Sequence, residues 1–125
     1  MNWVLIFIGG GLGSLLRYMI GIVSLKFWPT SFPLGTLITN FLACLLLGFI
    51  VYGLSEKMNQ FDWIKPLLLI GFCGGFSTFS TFSYETVQLI NSGSFTMAVL
   101  NILISLFTCH ASSFSNNPLE RTSRR

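Results

Sequence analysis

The chain has 125 residues, of which 52% are hydrophobic and 9% charged, and its mean hydropathy is +0.72. A water-soluble domain carries about a quarter of its residues charged, so this composition excludes one and points to the membrane. The formal net charge is +3, but Arg121, Arg124 and Arg125 crowd the end and no basic run crosses an aromatic-rich face, which argues against a nucleic-acid partner.

A helix that crosses the hydrocarbon needs about 20 residues. In chain order the apolar segments predict spans over 2–24, 32–54, 63–90 and 95–114, with loops at WPTSFP, at Glu56 and Lys57, and at NSGS. The expected architecture is an all-α, four-helix membrane domain over residues 1–109, followed by a polar basic tail, 115–125, expected to be disordered. Trp3, Trp28 and Trp63 fall near span ends, where amphipathic rings favour the interface. The opening MNWVLIFIGG has no basic n-region, so no cleaved signal peptide is expected.

Charge gives little orientation. One side carries Lys57 and Lys65 and the other Arg17 and Lys26, so insertion both ways up is open and only the tail arginines favour both ends inside.

In the first span Gly9, Gly13 and Gly21 fall at multiples of four, a spacing that lets membrane helices approach closely. A phosphate cradle is excluded, since no strand precedes these glycines and no GK[ST] follows. Arg17 fills the remaining position of that stripe; it either snorkels to the interface or faces a water-filled vestibule. In the second span Asn40 sits at depth, where lipid offers its amide no partner. It makes an interhelical hydrogen bond or aims its NH₂ into a pathway.

The third span carries GFCGGFSTFSTFS, residues 71–83. Gly74 and Gly75 predict a local unwinding that frees carbonyls in mid-membrane, which is tolerated only where protein, water or an ion satisfies them. Broken membrane helices hold cations in this way, so the carbonyls of Gly74 and Ser77 are candidates for a buried Na⁺. Beyond the break, Phe79 and Phe82 are neighbours on a helix, with Ser80, Thr81 and Ser83 adjoining. Ring edges are electropositive, and with hydroxyl donors they make a path weakly attractive to anions. The competing reading is aromatic packing with hydroxyls bonded back to their own helix. Glu85 lies near the far end, structural or facing a vestibule. Asn101, Ser105 and Cys109 form one stripe on the fourth span. Cys44, Cys73 and Cys109 match no disulfide or zinc spacing and are expected as small buried hydrophobes.

GGGLGSLLRY, GTLITN and above all GFCGGFSTFSTFSYE resemble the fluoride-exporting channels called Fluc or CrcB, over residues 1–109. The resemblance implies four-helix subunits inserted in both orientations and paired as an antiparallel homodimer in the cell inner (plasma) membrane. It implies a structural Na⁺, not transported, held by the carbonyls of Gly74 and Ser77, the latter standing where threonine is usual. It also implies two pores passing Phe79 and Phe82, with Asn40 as pore amide and Ser80, Thr81 and Ser105 as polar track. Arg17, Glu85 and Asn101 are assigned to the vestibule. Two departures are Asn101, where several members carry tyrosine, and HASSFSNNPLERTSRR after Cys109, where the family's fourth helix continues apolar.

The expected activity is passive export of F⁻, not an enzymatic one. A proton-coupled cation exporter wants a carboxylate at mid-span, and Glu56, Asp62, Glu85 and Glu120 supply none there. A non-conducting membrane subunit would account for the unusual end but not for the donor-rich third span.

Overall fold

The structure is a computed structural model that describes residues 1–115; the tail from 116 onward, with its expected disorder, lies outside the described residues. Every described element is helical: α1 (Asn2–Phe27), α2 (Leu34–Gly53), α3 (Ser55–Gln60), a π-helical segment (Lys65–Cys73), α4 (Gly74–Phe76), α5 (Phe79–Asn91) and α6 (Phe95–Ser115). Three stretches, Asn2–Phe27, Leu34–Gly53 and Lys65–Asn91, are long and apolar enough to cross a membrane, and Phe95–Ala111 is a shorter apolar helix. The protein is an all-helical, multi-pass membrane protein.

The ends of the helices follow from local chemistry. Pro29 and Pro33 bracket the loop between α1 and α2, because proline cannot donate into a helix and disfavours helical geometry in the residue before it. α5 closes with Gly93 at φ 79°, the left-handed conformation that glycine adopts without penalty. There Ser94 N–H donates to Leu89 C=O (2.9 Å) and Gly93 N–H to Ile90 C=O (3.0 Å), which satisfies carbonyls the helix end would leave bare.

Four features differ from the sequence-based expectations. SEKMNQ, taken as loop, forms the short helix α3. Lys65–Cys73, read as ordinary helix, winds with wider i→i+5 turns and has Pro66 in its first turn. The break expected at Gly74 and Gly75 lies one turn later. Gly74 is helical at φ −65°, ψ −37°, and the chain becomes extended at Ser77 (ψ 152°) and Thr78 (ψ 116°). Finally, Cys44 and Cys109 are not separate apolar fillers: they form a disulfide with 5.6 Å between their Cα atoms. Their separation of 65 residues hides the pairing from any spacing rule, and it arises because α2 and α6 pack together. Cys73 is free and buried.

The glycines explain why the break is displaced. α1 lies along the π-helical segment and α4. A methyl group on Gly9 would strike the Leu67 carbonyl and come within 2.9 Å of Phe72 N; one on Gly13 would reach 2.8 Å from Phe76 N. From the other side, a methyl on Gly71 would stand 2.9 Å from the Ile6 carbonyl, and one on Gly75 2.9 Å from Gly10 Cα. Gly75 thus works as a contact surface between two backbones rather than as a helix breaker. The third member of the expected stripe, Gly21, differs: a methyl there meets nothing, although one on Gly35 of α2 would lie 3.1 Å from Gly21 Cα.

α2 packs on both α1 and α6, and α6 on α5. The most enclosed side chains include Ile50, Ala98, Phe76, Thr39 and Asn101. Large apolar residues such as Phe7, Leu15, Leu106 and Phe107 point outward, the reverse of a soluble protein and suited to lipid.

Candidate functional site at the helix break

The site begins with the two extended residues Ser77 and Thr78. In a regular helix Thr78 N–H would donate to the Gly74 carbonyl four residues earlier. Here it donates to Asn40 Oδ1 at 2.9 Å, while Asn40 Nδ2 donates to the Thr78 carbonyl at 3.3 Å. One side chain from α2 therefore grips both polar groups of Thr78. In the same way Thr81 N–H, the helical donor to the Ser77 carbonyl, goes to Thr78 Oγ1 at 3.2 Å, which caps α5. The carbonyls of Gly74 and Ser77 each lose their regular donor to a side chain. Both residues line a cavity of about 240 Å³, whose walls also include Cys44, Cys73 and Ala43.

Ser77 keeps its N–H and its hydroxyl tied to the Cys73 carbonyl, at 3.0 and 2.9 Å. Of its polar groups only the carbonyl is released. Ser14 on α1 donates to the Gly75 carbonyl at 3.4 Å, so that oxygen is satisfied while those of Gly74 and Ser77 stay open. The donor set is neutral and hard, of the kind that suits an alkali cation. No cluster of three or more His, Cys, Asp or Glu fit to hold a metal occurs among the described residues.

On the other flank of the break, Phe79 and Phe82 form a tilted ring pair with centroids 5.8 Å apart and planes at 40°. Phe79 is 79% exposed in the single chain. Thr78, Ser80 and Thr81 form a hydroxyl cluster: Thr78 Oγ1 lies 3.2 Å from Ser80 Oγ and donates to Thr81 Oγ1 at 3.0 Å. Thr78 has a single hydroxyl hydrogen and gives it to Thr81, so Ser80 donates to Thr78 and the Thr81 hydrogen is the one left to turn toward a passing acceptor.

A second cavity, about 390 Å³, opens beside this cluster and is lined by Arg17, Thr36, Thr39, Thr78, Thr81 and Glu85, among others. Arg17 and Glu85, for each of which a vestibule was one of two expected settings, line one polar space. Glu85 Oε1 accepts from the Thr36 hydroxyl at 2.8 Å, and its Oε2 is buried with no hydrogen-bond partner. Arg17 supplies the cation on the same wall.

Two expected site residues make no hydrogen bond to this cluster. Asn101 is 1% exposed and donates to Thr86 Oγ1 at 3.1 Å, a sealed bond between α6 and α5. A vestibule position is corrected to a buried one, because the amide needs a partner away from water and Thr86 is the one in reach. Ser105, expected in the polar track, has a buried hydroxyl without a partner and makes no hydrogen bond to the cluster. Sequence reasoning did not single out Thr78, Thr36, Thr39 or Ser14. Thr78 had a legible signal, a hydroxyl residue at the start of a helical run. Thr36 and Ser14 had none, since their roles depend on partners 49 and 61 residues away.

These features define a membrane protein with a broken helix, open carbonyls on one flank and a ring-and-hydroxyl surface on the other. The sequence profile described as CrcB-like protein, camphor resistance (CrcB), matches residues 4–115. The chain belongs to the CrcB family. Among its relatives, a protein of Flavobacterium psychrophilum is 45% identical over 101 residues, 80% of this chain and 81% of the relative. One of Phocaeicola vulgatus is 48% identical over 90 residues, covering 72% and 74% of the two chains. One of Coxiella burnetii is 40% identical over 115 residues, covering 91% and 93%. Each of these three carries the name fluoride-specific ion channel FluC.

Proposed function

We propose that this protein is a fluoride-specific channel that exports F⁻ passively and so lowers the fluoride content of the cell. The observation that carries the reading is the surface made by Phe79, Phe82, Ser80 and Thr81 directly beyond the break, in a chain whose relatives bear the fluoride-channel name. Fluoride holds its water strongly, so a path must replace that water with many weak donors rather than one trap. Ring edges and rotatable hydroxyls meet this requirement, and no covalent step is involved. Asn40 keeps one amide hydrogen beyond the one given to Thr78, and that hydrogen belongs to the same donor set. Ser105, with its unpartnered hydroxyl, extends the track. Arg17 and Glu85 form the polar approach to it.

The chain works as four spans in the cell inner membrane, the fourth being α6, and as an antiparallel homodimer assembled from copies inserted both ways up. Exposure of Phe79 in the single chain supports an assembly in which a second copy covers it. A structural Na⁺ held by the carbonyls of Gly74 and Ser77 belongs to the same reading; bound there it would supply the positive charge those two oxygens lack. One chain offers two such oxygens, and a second copy would double the set.

The test is efflux from liposomes that contain the purified chain, read with a fluoride electrode, with chloride as the control. Fluoride efflux without chloride efflux is expected. Release of neither halide by folded protein would overturn the channel reading.

A further inference from the structure

The residue assigned to the anion path has a second set of bonds, and these point away from the anion. In hydrocarbon a peptide N–H does not leave its helical carbonyl unless another acceptor replaces it. Asn40 Oδ1 is that acceptor for Thr78 N–H at 2.9 Å, and Asn40 Nδ2 returns a bond to the Thr78 carbonyl at 3.3 Å. The Thr78 peptide therefore loses nothing by leaving the helix. The oxygen left over is that of Gly74.

We infer that Asn40 is a positioning residue for the carbonyl site, and that it creates the site by withholding the Thr78 donor from Gly74. Thr78 does the same one step later, because its Oγ1 takes Thr81 N–H away from the Ser77 carbonyl. The glycines are not responsible. Gly74 has ordinary helical angles, and Gly75 is committed to α1. Two side chains, one on α2 and one in the break itself, thus free two carbonyls, and the bond between α2 and the break couples the cation site to the anion path through one amide. Without the acceptor on α2, Thr78 N–H returns to Gly74, the helix closes across the break and the Gly74 oxygen is consumed.

This inference rests on the cation reading above, and one experiment separates the two. The full chain is purified as the wild type, as Asn40→Leu and as Asn40→Asp. Thermal unfolding is followed by tryptophan fluorescence while NaCl replaces a bulky organic chloride at constant ionic strength. Ligand that binds only the folded state raises the melting temperature with a midpoint set by its Kd. The wild type is expected to gain stability with Na⁺. Asn40→Asp keeps an acceptor for Thr78 N–H and is expected to hold its Na⁺ midpoint within about threefold, even where fluoride flux is lost. Asn40→Leu is expected to raise the midpoint by about tenfold or more.

If the wild type responds to Na⁺ and Asn40→Leu responds at the same midpoint, the positioning role is overturned and the cation site stands. If the wild type does not respond, the cation reading falls and takes this inference with it. Where Asn40→Leu yields no folded protein, Thr78→Val decides. It removes the acceptor for Thr81 N–H at similar bulk, and an unchanged Na⁺ midpoint in it overturns the proposal.

Discussion

The two halves of GFCGGFSTFSTFS behave in opposite ways. From Gly71 to Gly75 the chain presses its backbone onto α1, with glycine wherever a methyl group would collide with main-chain atoms. At Ser77 and Thr78 it leaves the helix, and it is held by side chains up to the start of α5, Asn40 from outside and Thr78 from within. The first half is rigid through contact and the second is open through exchanged hydrogen bonds. Adjacent residues of one motif thus divide the labour: one part anchors the helix and the next presents oxygens and rings. A broken helix in a membrane needs both, since an unanchored break would refold into helix at the first opportunity.

Substitutions break or sharpen this contrast. The largest effect is expected from Gly9→Ala, whose methyl would meet the Leu67 carbonyl and Phe72 N with no flexible side chain to yield. Overpacking against backbone should cost about 3 kcal/mol, visible as a large fall in melting temperature in micelles. An unchanged melting temperature would mean that α1 and the third span are not in backbone contact. Next comes Phe82→Ile, which removes a ring edge at similar bulk beside Phe79. Fluoride flux in liposomes should fall about tenfold or more, equivalent to about 1.4 kcal/mol of barrier, while size-exclusion behaviour stays the same; undiminished flux would remove the ring from the path. The smallest effect belongs to Gly21→Ala. It shares the stripe of Gly9 but has open space at its methyl position, so stability should stay within about 1 kcal/mol of the original, with helix propensity favouring alanine. A loss as large as that of Gly9→Ala would show that a second copy occupies this space.

Much of the helical layout was legible in the residues. Long apolar runs between prolines, tryptophans and NSGS mark where helices start and stop, because lipid enforces internal hydrogen bonding on any apolar stretch of that length. The hydroxyl-and-phenyl run was legible as the unusual chemistry of the chain for the same reason: polar groups at depth must have partners. The location of the break was not. Glycine propensity favoured Gly74 and Gly75, but propensity is a weak term beside a set of exchanged hydrogen bonds, and those bonds need Asn40 on another helix. Nor could spacing reveal Cys44 against Cys109 or Asn101 against Thr86, which follow only from helix packing.

By itself the amino-acid sequence determined that this protein is helical, lives in lipid and carries donors and rings along one short stretch of its third span. Which carbonyls are released, which glycines are contact surfaces and which amides are sealed in the core was decided by tertiary structure alone. The reason is physical: burial in lipid is set by composition over a window of neighbours, whereas an exchanged hydrogen bond or a collision of backbones depends on atoms that the chain brings together from far apart.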